Sequence, residues 1–127
     1  MNQLTDFNPT TNITYPKLDK KLPNFLYQSE IKIVFDSIDQ EKELGHRNYV
    51  MLLLLYSTGL RVGELIYLNV SDFGGKTIEV NGKGNKNRVI PVNDLCLVEI
   101  SKYLEGEREN LLKKSSKPTE KALFLNK

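Results

Sequence analysis

Two short stretches of the chain concentrate side chains able to hold an anion. Between Phe73 and Val92, four cationic residues, Lys76, Lys83, Lys86 and Arg88, stand against the single acid Glu79. Three of the four lie on or beside Asn81–Asn87 (NGKGNKN). A glycine-rich tip of this kind brings backbone N–H groups and ammonium groups together onto a phosphate. The second stretch is Ser57–Leu68 (STGLRVGELIYL), where Arg61 follows a helix-ending glycine and opens the next helix. A guanidinium there joins helix-end N–H groups in holding an anion. Glu64, three residues on and on the same face, is placed to pair with Arg61 and fix its direction. Residue types alone leave a plainer alternative for each stretch. The first also reads as a solvated loop with ordinary lysines, and the second as a surface ion pair worth at most about 1 kcal/mol.

The elements that must position these groups follow from apolar spacing. Ile31, Val34, Phe35 and Ile38 form a stripe at helical spacing, which predicts a helix over about Ser29–Asp39 capped by Gln28 or Ser29. A second helix spans about Gly45–Thr58; its stretch Tyr49–Tyr56 is apolar all round, so it belongs at the centre of a core. Gly59 ends it, because glycine accepts the left-handed conformation of a C-terminal cap. A short helix over Arg61–Tyr67 turns Leu65 and Leu68 inward, and Asn69–Phe73 leads out of it. The period then changes. Thr77–Val80 (TIEV) and Arg88–Val92 (RVIPV) read as strands of a hairpin whose long tip carries the lysines. Asn93 caps a helix running to about Leu112, with a stripe of Leu97, Ile100, Leu104 and Leu111 and surface pairs Glu105–Arg108 and Glu109–Lys113. After a polar loop, Lys113–Lys121, a third strand begins at Ala122–Leu125. The fold class expected is α+β, mainly helical with a small antiparallel sheet: a β-hairpin at about 77–92 plus a strand at about 122–125.

Residues 1–24, with Pro9, Pro16 and Pro23 and no sustained period, read as a flexible arm or linker ahead of a single domain at 25–127. The chain has 127 residues, 27% of them charged, and a net charge of +2, so any case for nucleic acid rests on where the charges sit. Cys96 is the single cysteine, which excludes an internal disulfide; among Leu95, Leu97 and Val98 it reads as a small buried apolar side chain. The N-terminus lacks the basic start and apolar run of a secretory signal. The strictly apolar run that contains Met51–Leu55 falls far short of the roughly 20 residues that span a bilayer. A cytoplasmic protein with no membrane partner is expected. His46 and Cys96 are far apart and there is no metal-ligand cluster, so neither metal nor cofactor is expected. The apolar surface of the second helix exceeds what its neighbours cover, and the last strand has no partner beyond it. Both suggest a fold that expects more chain and is marginally stable alone; a compact domain ending on an edge strand is the alternative.

TGLRVGEL at Thr58–Leu65 resembles the first arginine box of the tyrosine recombinases, the family of Xer proteins and phage integrases. IEVNGKGNKNRVIPV at Ile78–Val92 resembles the lysine-bearing hairpin that follows that box. LNVSDF at Leu68–Phe73 is similar to the connector between them, LFLN at Leu123–Asn126 to the strand after the next helix, and KLPNFLYQSEI at Lys21–Ile31 to the linker entering the catalytic domain. The resemblance covers about residues 17–127. It implies that Arg61 is the first catalytic arginine, clamping the scissile phosphate, and that Lys83 is the hairpin lysine that helps protonate the leaving 5′ oxygen. It further implies that Glu64 supports the arginine from behind, and that Lys86 and Arg88 touch the DNA backbone; Lys76, from the same basic segment, is expected to bind DNA with them. These roles are physically coherent. Phosphoryl transfer is served by donors around oxygens that gain charge, an arginine fork matches two non-bridging oxygens, and a lysine near other cations can act as an acid.

The family's later motifs find no match here. They comprise a His-x-x-Arg box, then a His or Trp, then a nucleophilic tyrosine. His46 is followed by Arg47, with Tyr49 at the third position along, and it precedes Arg61. The tyrosines are Tyr15, Tyr27, Tyr49, Tyr56, Tyr67 and Tyr103, none after the segment that follows the hairpin and its helix. The family's separate N-terminal helical clamp domain is also unmatched. The expectation is therefore the N-terminal half of a tyrosine-recombinase catalytic domain that binds double-stranded DNA and is inactive in cleavage alone. Two alternatives remain open. One is a split enzyme completed in trans by the missing C-terminal half or another recombinase subunit. The other is a non-catalytic regulator that binds a recombinase or its site. Chromosome-dimer resolution and mobile-element integration both fit.

Overall fold

The computed structural model describes residues 25–84 and 86–127, and the expected arm at 1–24 lies outside the described residues. Its elements are α1 (Gln28–Asp36), α2 (Gly45–Thr58), α3 (Val62–Ile66), a single 3-10 turn (Val70–Asp72), strands β1 (Thr77–Asn81) and β2 (Asn87–Pro91), α4 (Asp94–Glu105) and α5 (Glu107–Lys114).

α2 has the bounds its apolar run predicts, and Gly59 closes it with φ 68°. Val50, Leu53 and Leu54 are buried against α4, which contributes Cys96, Ile100 and Tyr103. The helix is not covered all round: Met51, Leu52 and Leu55 are half-buried and Tyr56 is exposed. α1 is the only described element on that side. It is shorter than its stripe predicts, and none of its residues is fully buried. Phe35 meets Tyr49 and Tyr56 edge-on at centroid separations of 5.7 and 6.0 Å. An apolar groove of about 270 Å³ remains between the two helices, lined by Leu26, Ile31, Val34, Phe35, Leu52, Leu55 and Tyr56. The cap of α1 is Tyr27, not Gln28 or Ser29. Glu30 reaches back to accept the Tyr27 peptide N–H at 2.7 Å, which satisfies one orphan donor of the first turn.

The sheet is a two-stranded antiparallel ladder pairing Thr77 with Pro91 through Asn81 with Asn87. β1 alternates, with Ile78 and Val80 turned to the core and Glu79 and Asn81 to solvent. Asn93 caps α4 as expected, accepting from the Cys96 N–H at 2.8 Å.

Two expectations beyond the hairpin are corrected. The helix after Asn93 is not continuous. It breaks at Gly106, a poor helix former, and the new direction of α5 turns Arg108 and Leu111 inward. Arg108 therefore does not form a surface pair with Glu105; it is 7% exposed and donates to backbone carbonyl oxygens. The expected Glu109–Lys113 pair is present at 3.5 Å.

The segment at Ala122–Leu125 is also not a strand. It makes one antiparallel bridge, Ala122 to Asn69, framed by Val70 N–H to Lys121 O at 3.0 Å and Leu123 N–H to Leu68 O at 2.8 Å. Its partner runs directly into the 3-10 turn, so no extended neighbour continues the ladder. Side chains complete its pairing instead. Tyr103 Oη accepts the Leu125 N–H at 3.2 Å, and Arg47 Nη1 donates to Leu125 O at 2.7 Å. Among the described residues no helix is long and apolar enough to cross a membrane.

Candidate functional site

Arg61 is the N-cap of α3, in extended conformation at φ −73°, ψ 148°, and is exposed. The turn that delivers it is built by Thr58, Gly59 and Leu60. The Thr58 hydroxyl donates to Leu54 O at 2.6 Å, Gly59 stops α2, and Leu60 is buried as an anchor. Leu65 and Leu68 are buried on the inner side of α3, as the spacing predicts. The Arg61 guanidinium is thus carried at the start of a short helix pinned from below.

Glu64 does not pair with the Arg61 guanidinium. Its Oε2 accepts the Arg61 peptide N–H at 2.8 Å, the reach-back of an acidic third residue toward its N-cap. Its ion-pair partner is Arg88 on β2, which donates from Nη1 to Oε1 at 2.5 Å and from Nη2 to Oε2 at 2.9 Å. The physical reason lies in the cap. An extended N-cap leads its side chain away from the helix, whereas the third residue folds back beneath the first turn. The Arg88 fork, and after it the Arg61 N–H, pulls the Glu64 carboxyl from 4.5 down to about 2. The same contact raises Arg88 above its usual value.

The hairpin holds the other cations. Lys83 is exposed at the tip beside Gly84, whose φ is 74°. Lys86 is exposed where the loop re-enters β2, its carbonyl accepting the Gly82 N–H at 2.8 Å. Lys76 lies at the other end of the ladder. The five residues of β1 separate it from the tip by roughly 17 Å at about 3.4 Å per residue, so it does not belong to the tip cluster. A hollow of about 160 Å³, lined by Gly63, Glu64, Tyr67, Leu68, Asp72, Val80 and Asn81, lies between α3 and the hairpin. Among the described residues there is no group of three His, Cys, Asp or Glu side chains placed to hold a metal ion. His46 instead bonds Glu99 through Nε2 at 2.9 Å, joining α2 to α4. No sequence signal marked that contact, nor the Glu64–Arg88 pair, since each links residues distant along the chain.

The helix headed by Arg61 and the hairpin that carries Lys83 are thus joined through one carboxylate, Glu64. The profile of the phage integrase family matches residues 24–127. The chain belongs to the phage integrase family, the tyrosine recombinases. A tyrosine recombinase XerD of Oceanobacillus iheyensis is 42% identical over 126 residues, which is 98% of this chain and 41% of that relative. A tyrosine recombinase XerC of Bacillus pumilus is 40% identical over 126 residues, again 98% of this chain and 41% of the relative. Among solved structures, XerA recombinase superposes with a TM-score of 0.65 at 29% identity, covering 89% of this chain and 38% of its own. The XerH site-specific recombinase bound to palindromic difH substrate, a post-cleavage complex, gives a TM-score of 0.68 at 26% identity, covering 91% of this chain and 34% of its own. The chain therefore spans about two-fifths of the length of the curated relatives it matches. The mainly helical fold with an antiparallel hairpin is the fold of this family's recombinase structures, as the sequence motifs led one to expect.

Proposed function

We propose that the chain is the arginine–lysine half of a site-specific recombinase catalytic domain, and that it engages double-stranded DNA through the phosphate backbone. The observation that carries the reading is the tie between the two motifs: one carboxylate, Glu64, holds both the Arg61 peptide N–H and the Arg88 fork. Arg61, exposed at the head of α3, supplies a fork for two non-bridging phosphate oxygens. Lys83, exposed on the hairpin tip, supplies the proton for the leaving 5′ oxygen. Lys86 adds attraction to the neighbouring backbone, and Lys76, at the far end of the ladder, contributes at longer range. The XerH site-specific recombinase structures, bound to difH substrate, support a DNA partner for this fold.

These 127 residues are proposed not to cleave DNA by themselves, because they match neither the second arginine box nor the nucleophilic tyrosine. A further part of the recombinase, or another subunit, is the proposed source of both groups.

Duplex binding measured across a salt series tests the first claim. Arg61→Ala and Lys83→Ala should each weaken binding and lower the slope of log K against log salt by about 1. Unchanged affinity in both would leave a regulator that does not use these cations as the better account. A suicide substrate nicked near its cleavage site tests the second claim. No covalent protein–DNA adduct is expected from the chain alone, and a phosphotyrosyl adduct would refute it.

A further inference from the structure

We propose that Arg88 is a positioning residue that locks the lysine hairpin onto the helix headed by Arg61, rather than a contact to DNA. The inference rests on the reading of Arg61 and Lys83 given above.

Strand register supplies the first argument. Arg88 stands directly opposite Val80 in the ladder. Directly opposed residues of an antiparallel pair project from the same face, and Val80 is buried. Arg88 therefore projects toward the body of the protein. The other face carries Glu79, Asn87 and Val89, and there Asn87 Nδ2 donates to Glu79 Oε1 at 3.3 Å.

The second argument is the completeness of the contact. Arg88 gives two N–H groups to the two oxygens of Glu64, the fork geometry that fixes orientation as well as distance. The Glu64 side chain is only 9% exposed, against 43% for Arg88. A phosphate taking that same fork would have to displace Glu64, leaving a carboxylate without its cation beside a polyanion.

The third argument is position. Lys83 lies five residues before Arg88 on the same hairpin, and the carboxylate that Arg88 grips also holds the peptide N–H of Arg61. One pair thus sets the placement of the tip lysine relative to the head of α3. A change of fork at Arg88 shifts two cations that themselves have no bond to it.

The test is duplex binding by the full chain across a salt series, with thermal melts confirming that each variant is folded. Arg88→Gln should weaken binding several-fold with an unchanged salt slope, because no phosphate contact is lost. Arg88→Lys keeps the charge but not the fork, and should behave like Arg88→Gln. Glu64→Gln, which leaves Arg88 in place but unpaired, should also weaken binding, and the double variant should be no weaker than either single one. The proposal is overturned if Arg88→Lys binds like the parent while Arg88→Gln loses about 1 from the slope. It is also overturned if Glu64→Gln strengthens binding by freeing the guanidinium. Arg61→Ala and Lys83→Ala are run alongside. If those two leave binding untouched, the functional reading falls and takes this proposal with it; if they lower the slope and Arg88→Gln does too, only the assignment of Arg88 falls.

Discussion

The Arg108 guanidinium donates from Nη2 to the carbonyl oxygen of Ala122 at 2.7 Å, the shortest of its bonds to the segment that closes the fold. Its other donations reach Glu120 O at 2.9 Å and Ala122 O and Leu123 O at 3.1 Å each. A charged side chain that turns its Nε and Nη2 groups to backbone carbonyls, in the interior, does the work of a missing strand. It satisfies acceptors that a third strand would otherwise have paired.

Arg108→Met should therefore destabilise the chain by about 2–3 kcal/mol, since each buried carbonyl left without a donor costs on the order of 1–3 kcal/mol. Chemical denaturation monitored by circular dichroism measures this. A change under about 0.5 kcal/mol, the range of a featureless surface position, would show that the segment at 120–123 is held by other contacts.

Stability should fall on acidification through a window set by Glu64. Its carboxyl titrates near 4.5 when unperturbed and about 2 in the folded chain, held down chiefly by the Arg88 fork and then by the Arg61 N–H. A depressed folded value means that the contribution is fully present above about 4.5 and is lost as pH falls toward 2. Glu99 acts in the same sense, lowered chiefly by its bond to His46. Melting temperatures recorded between neutral pH and 2 should show this decline, and Glu64→Gln should flatten part of it. An unaltered profile in that variant would contradict the pairing.

Cys96 is buried, and burial pushes its thiol above the usual value. Only the thiolate reacts readily. An aromatic disulfide reagent at neutral pH should leave the native chain unlabelled and modify it rapidly in denaturant. Fast native labelling would mean that the contact between α2 and α4 opens readily.

Gly45 begins α2 with the preceding loop folded against it. A Cβ there would meet the backbone oxygen of Asp39 at 2.0 Å, a contact that cannot relax without moving the chain. Gly45→Ala should cost roughly 1–3 kcal/mol, the usual range for overpacking, despite alanine's better helix propensity. A stabilised variant, read by denaturant midpoint, would place this loop elsewhere.

Much of the architecture was legible one segment at a time. The run Tyr49–Tyr56 and the stop at Gly59 specified α2, since a long apolar helix and its glycine stop are both local features. The β-rich runs flanking Asn81–Asn87 likewise specified a hairpin, and Asn93 its following N-cap. Local pattern failed where a residue's partner lies far along the chain. The stripe from Leu97 to Leu111 is compatible with one helix; the break at Gly106 turns Arg108 inward, where it finds carbonyls that no window of sequence contains. Ala122–Leu125 has the composition of a strand, but strands exist only by pairing, and its neighbour coils into a 3-10 turn after Asn69. At the candidate site, three-residue spacing suggested a bond between the Glu64 and Arg61 side chains. The carboxylate turned instead to Arg88, which is 24 positions away in sequence and within hydrogen-bond reach in space.

By itself, then, the order of residues determined the family, the helices with strong apolar runs, the hairpin and the exposed cations at 61 and 83, because these depend on side-chain chemistry and short-range backbone geometry. Tertiary structure alone decided which carboxylate meets which guanidinium, where the helix after Asn93 bends, and how the final segment is held. Each of those outcomes is a competition among groups brought together only when the core closes, and no short window of sequence contains all the competitors.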